Sequence, residues 1–142
     1  MKYFIMISAM LLAFSANARD TRQMYSYEDA LQTPDAKTKL STDIKYYFGN
    51  SAAPAAVKNL GEYSTNKKTN AFGKDDYKAC QWAFLSAMLS LQDRARQLGA
   101  DAVVNIKSNY KGTLKDSNTQ FECGAGALMA GVALTGTFIK TK

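Results

Sequence analysis

Two cysteines, Cys80 and Cys123, are the side chains of this chain best suited to chemistry, and the residues around them restrict what that chemistry is. The sequence contains no histidine. It therefore offers no Ser-His-Asp triad, no Cys-His nucleophile and no imidazole metal ligand. Two sulfurs alone make a poor zinc site, because structural zinc takes four Cys or His ligands. The stretches 51–56 and 124–131 (GAGALMAG) are rich in small residues, but neither ends in the Gly-Lys-Ser/Thr that holds phosphate and magnesium. Asp75 and Asp76 are adjacent carboxylates whose position before an apolar-periodic run suits a helix cap better than acid catalysis. No cofactor, no metal site and no catalytic residue is expected, and the chain reads as a non-enzyme.

For the cysteines two readings compete. An even pair in an oxidising compartment predicts a disulfide between Cys80 and Cys123. The alternative is a thiol-dependent enzyme or redox sensor using Cys80, which follows Asp76 by four residues near a helix start where amide dipoles favour a thiolate. The absence of a Cys-x-x-Cys pair and the place of Cys80 on an apolar stripe favour the bridge. Closing a loop of this length contributes roughly 4 kcal/mol in the chain-entropy picture.

The compartment follows from the first residues. Met1 to Ala18 carries Lys2 as its only charge, an apolar run from Tyr3 to Phe14, and Ala16-Asn17-Ala18. That is the pattern of a secretory signal cut after Ala18, leaving 19–142 as a single α+β domain. The apolar run is too short to cross about 30 Å of hydrocarbon, so no stable membrane span is expected. No cysteine sits at the cut to carry a lipid. The whole chain has a net charge of +6, and loss of Lys2 leaves +5. That balance favours anionic surfaces in general, while the lack of a dense basic stripe argues against nucleic acid. The expected location is the periplasm or the outside of the cell.

The elements that must position the cysteines are readable to different degrees. A helix is predicted over Tyr77 to Leu98, capped by Asp75 or Asp76 and ended by Gly99. Its stripe of Cys80, Phe84, Ala87, Met88, Leu91, Ala95 and Leu98 recurs at spacings of three and four. Lys78, Gln81, Ser86, Gln92, Asp93 and Arg96 form the opposite side. Trp82 and Leu85 widen the apolar arc, which predicts packing against the N-terminal segment or another subunit.

Ala102 to Tyr110 is predicted as a strand with Ala102, Val104 and Ile106 inward, and Asn118 to Cys123 as a second strand forming a hairpin with it. Val132 to Lys140 is the last strand. Earlier in the chain, Tyr27 to Leu31 and Asp35 to Leu40 allow short helical turns around Pro34. Asp43 to Phe48 and Val57 to Ser64 read as strands, and Thr65 to Lys74 as an exposed loop. The sum is an antiparallel sheet with one long helix packed across a face. Both sulfurs then arrive at the helix–sheet interface.

The surface feature best suited to a partner is Asn66 to Lys74 (NKKTNAFGK). It puts Lys67, Lys68, Lys74 and Phe72 on the expected loop, a basic patch with one apolar anchor. The alternative is a solvated connection with Phe72 folded back on the helix near Tyr77 or Cys80.

Leu98-Gly99-Ala100-Asp101-Ala102-Val103-Val104, followed by Gly136-Thr137-Phe138, resembles the YbjQ-like small domains. Their layout is a helix ending in a Leu-Gly-Ala-Asp-Ala-Val stretch, a hairpin and a last strand with Gly-Thr. It is also similar to the disulfide-bonded periplasmic domain of RcsF-type envelope-stress lipoproteins. The longer stretch Asn66 to Lys140 resembles secreted bacterial proteins that have carried an excinuclease ATPase label. The resemblance covers roughly Val57 to Lys140 and implies a YbjQ-like/RcsF-like fold. The function expected from all of this is a non-enzymatic periplasmic binding or envelope-stress-related protein whose partner is an envelope protein or anionic polymer. A structural module that assembles as a homo-oligomer is the second reading.

Overall fold

The structure is a computed structural model that describes residues 19–142. The expected signal segment, Met1 to Ala18, lies outside the described residues. In chain order the elements are β1 (Thr21–Ser26), α1 (Tyr27–Leu31), α2 (Pro34–Lys39), β2 (Lys45–Phe48), β3 (Lys58–Asn70), α3 (Asp76–Leu98), β4 (Ala102–Tyr110), β5 (Thr113–Lys115), β6 (Gln120–Ala125) and β7 (Met129–Lys140). This is an α+β architecture in which a seven-stranded sheet curls into a half-barrel against α3. The sheet is mixed and not wholly antiparallel as expected: β2 runs parallel to β4, and the other pairs are antiparallel.

The helix α3 is about 35 Å long at 1.5 Å per residue. Asp75 caps it by accepting the Lys78 N–H, satisfying one of the first-turn amides that has no partner inside the helix. Gly99 ends it in the left-handed conformation, at φ 71°. The stripe from Cys80 to Ala95 is buried. Gln92 departs from its expected place on the polar side. It is buried, and its amide oxygen accepts the Ser41 N–H at 2.7 Å, so it ties the segment before β2 to the helix. Leu85 is buried as well, and the N-terminal segment around Thr33, Pro34 and Asp35 borders Trp82 and Leu85. Lys39 sits over the Trp82 ring at 5.2 Å. The wide apolar arc of the helix is thus met by the chain's own N-terminal part.

Under the helix lies an aromatic cluster. Phe84 stacks on Phe121 with centroids 4.4 Å apart, and Tyr27 stacks on Phe48 at 3.9 Å. Such pairs add to the free energy of burying their large apolar areas.

Four further expectations need correction. The N-terminal segment, where only short helical turns are expected before Asp43, begins with β1, paired along β6 from Thr21↔Ala125 to Ser26↔Gln120. The strand expected to end at Ser64 continues as β3 to Asn70, because β7 supplies a partner for it over its whole length. Polar sequence is tolerated there, since strand preference is largely a matter of context. In β4 a bulge with Asn105 at φ 51° shifts the register between Val104 and Lys107. It turns Val103 and Ile106 into the core in place of Val104. Finally, β4 does not form a hairpin with β6: it turns through Lys111 and Gly112 into the short β5, and β6 turns into β7.

Candidate functional site

The two cysteines form a disulfide, with sulfurs 2.11 Å and Cα atoms 5.9 Å apart. Both residues are completely buried between α3 and β6. Helical spacing places Cys80 on the inward stripe, and strand alternation places Cys123 on the same side of β6 as Phe121. No free cysteine remains among the described residues, so the thiol chemistry considered for Cys80 has no thiol to act with in this state.

The stretch that carries the family resemblance is structural in its detail. Gly99 supplies the left-handed turn. Asp101 then accepts both the N–H and the hydroxyl of Thr141, at 2.9 and 2.7 Å, fastening the end of β7 beside the start of β4. Those hydrogen bonds, the hydroxyl's first, hold the Asp101 carboxyl below its ordinary value of 3.8. A Cβ on Gly136 would fall 2.8 Å from Val103 and 3.3 Å from Ile106, so the Gly-Thr step is set by packing against β4.

The four residues expected on one basic loop are divided by the structure. Lys67 and Lys68 lie in β3 and not in a loop, and successive strand residues face opposite sides. Lys67 is in line with Tyr63 and Thr65, which face the helix. Lys68 stands opposite Gly131 on the outer side. Lys74 is in the turn after β3, with its ammonium donating to the Asn70 carbonyl at 2.9 Å. Phe72, also in that turn, is 72% exposed and is not folded back on the helix.

The turn that carries Phe72 lies beside a second turn. The Ala71 N–H donates to the Leu128 carbonyl at 2.8 Å, which seats the β3–α3 turn beside the β6–β7 turn. Leu128 and Met129 are 63% and 48% exposed there. These two apolar residues escape a reading by motif because GAGALMAG signals only a turn. Their exposure depends on which strands the turn connects.

Next to this apolar tip, on the outer side of the sheet, is an open cleft of about 480 Å³. Its floor is the facing pair Gly124↔Gly131 with Tyr110 beside it, and Arg19, Lys68 and Lys111 border it. The cations differ in state. Arg19 donates to both Asp76 oxygens, at 2.8 and 3.0 Å, and to the Gly126 carbonyl at 2.9 Å. That pairing raises the arginine and holds the Asp76 carboxyl below its ordinary value. Lys111 donates to Asp20 at 2.8 Å, and the Tyr110 hydroxyl donates to the other Asp20 oxygen at 3.2 Å. The Lys111 hydrogen bond leads in lowering the Asp20 carboxyl, while partial burial leads in raising the Tyr110 phenol. Lys68 has no carboxylate within 4 Å among the described residues.

Among the described residues no group of three or more His, Cys, Asp or Glu is placed to hold a metal ion. Among them, too, no helix is long and apolar enough to cross a membrane. The arrangement of exposed Phe72, Leu128 and Met129 beside a basic cleft is suited to contact, through apolar area on the tip and positive charge at its side. No match to the chain is found among family models, curated proteins or solved structures.

Proposed function

We propose that this protein is a non-catalytic binding domain of the bacterial envelope, exported to the periplasm or beyond and active in envelope binding or stress sensing. The observation that carries the reading is the pair of hydrogen-bonded turns that presents Phe72, Leu128 and Met129 next to Lys68 and Lys111. An isolated exposed apolar residue is ordinary on a protein surface, whereas three at adjoining turns beside Lys68, which is unpaired among the described residues, and the Asp20-paired Lys111 suit an anionic partner with some apolar surface. An envelope protein or an anionic envelope polymer has that chemistry. The disulfide and the signal-like first residues support an oxidising location. The order of long helix, Leu98-to-Val104 turn and final Gly136-Thr137 strand supports assignment to the YbjQ-like/RcsF-like layout.

The test is capture of envelope fractions by the exported protein. Phe72→Ser combined with Leu128→Ser should abolish capture, and Lys111→Glu should weaken it in a salt-dependent way. Lys67→Glu, on the helix side of β3, should leave it unchanged. Capture indifferent to the tip substitutions would reject this surface. Sequencing the exported chain should find Arg19 as its first residue.

A further inference from the structure

The strand β3 is paired on one edge only. It is 13 residues long and runs against β7 throughout, and among the described residues nothing pairs with its other edge. Which of its backbone groups are free follows from the register. The hydrogen bond from Ala71 to Leu128 continues the β3–β7 pairing by one more residue. Because antiparallel pairs alternate between bonded and unbonded, the amides of Tyr63, Thr65, Lys67 and Thr69 turn toward β7. Those of Glu62, Ser64, Asn66 and Lys68 turn away, and all four of these residues are exposed.

A free edge of this length is a template for another strand unless it is short, covered, broken or guarded by unmatched charge such as lysine. The bulge in β3 falls at Asn59 to Gly61, near its start, and leaves 62–70 regular. Along that stretch Glu62 and Lys68 stand symmetrically about Thr65, whereas Lys67 has no acidic counterpart. We infer that the free edge of β3 pairs antiparallel with β3 of a second copy of this chain, about a two-fold axis at Thr65. In this register Glu62 of each copy lies opposite Lys68 of the other, giving two ion pairs. Ser64 lies opposite Asn66, and Tyr63, whose ring already carries Arg94 of its own chain at 4.8 Å, lies opposite Lys67. Moving the axis to Ser64 or Asn66 places Glu62 opposite Asn66 or Asn70 and loses both ion pairs. The amide pattern requires an axis on a residue and not between residues, and among such axes the charges select Thr65.

The flank of α3 beside this edge suits the same contact. Ser86 and Ser90 are short, and Leu89 between them is half-buried, so a second α3 can approach across the joined sheet. This surface shares Lys68 with the basic cleft but does not include the turn that carries Phe72, and the inference does not rest on the binding role proposed above.

Sedimentation velocity on the exported protein, up to its solubility limit, tests it. The protein should form a dimer. Glu62→Lys and Lys68→Glu should each raise the dimer dissociation constant about tenfold or more, because each turns two attractions into two repulsions. The two together should restore it, since the ion pairs reform with their signs exchanged. Phe72→Ser should leave dimerisation unchanged, which separates this contact from the proposed partner surface. A monomer at every concentration would overturn the inference. So would a dimer indifferent to the single reversals, or a double reversal no tighter than the singles.

Discussion

Tyr110 occupies the space in which a side chain on Gly124 would begin. A Cβ built on Gly124 would overlap the phenol ring, with Cε1 at 2.7 Å, and one built on the facing Gly131 would lie 3.4 Å from the same ring. The ring therefore rests against the last β6–β7 pair, held by its hydroxyl to Asp20 and with Arg22 5.2 Å from its centre. The end of β4 is seated on the outer side of the sheet because two facing residues have no side chains.

Gly124→Ala should displace Tyr110 and loosen the β4–β5 hairpin. The expected loss is about 1–3 kcal/mol, as for other overpacked sites. Gly124→Ala combined with Tyr110→Ala should recover part of it, because the overlap is then absent. Urea unfolding of Gly124→Ala, Tyr110→Ala and the double variant measures the coupling, and additive losses would contradict the contact.

Glu122 is buried at 1% exposure on β6, and the Lys115 ammonium from β5 is its partner among the described residues. Its own N–H is taken up by the Ser108 hydroxyl oxygen at 2.8 Å, where β4 leaves β7. Lys115→Ala should destabilise by about 1–3 kcal/mol, since a buried carboxylate is left without a counter-charge. Glu122→Gln should restore much of that loss in the Lys115→Ala background, a result read from the same unfolding curves.

The disulfide ties the one long helix to β6 through two buried sulfurs. Replacing both cysteines by alanine should cost roughly 4 kcal/mol by the chain-entropy relation for the loop they close. In the native oxidised protein a thiol reagent should label nothing. Labelling of Cys80 without reduction would show the bridge to be unformed.

Stability should fall at both ends of the pH scale. Asp20, Asp76 and Asp101 are held below their ordinary 3.8 by hydrogen bonds from Lys111, Arg19 and Thr141 respectively. The unfolded chain therefore takes up these protons first, so their contribution is complete above about pH 5 and is lost as pH falls below 3.8. At the alkaline end burial pushes the Tyr46 phenol up from 10.0 to about 12, and raises Tyr27 further in the same direction. A raised acid is stabilising while protonated, so its contribution is present below pH 10 and disappears as pH rises toward 12. Chemical denaturation across pH measures both arms. Asp101→Asn should shallow the acid arm, and Tyr46→Phe the alkaline one.

The residues themselves decide α3 and the disulfide. Asp75, the spacing of Cys80, Phe84, Met88 and Leu91, and Gly99 are local signals, and a helix satisfies its backbone within its own segment. Cys123 shares its side of β6 with Phe121 by simple alternation, so the meeting of the two sulfurs is legible as well. Strand partners are another matter, because a strand's hydrogen bonds are completed by residues remote in sequence. That is why β1 is hidden in polar sequence, why β3 runs on through Lys67 and Lys68, and why β4 parts from β6. The candidate surface inherits the same division. Phe72 and the lysines are visible in the sequence, but only tertiary pairing puts Lys67 and Lys68 on opposite faces and brings Leu128 beside Phe72.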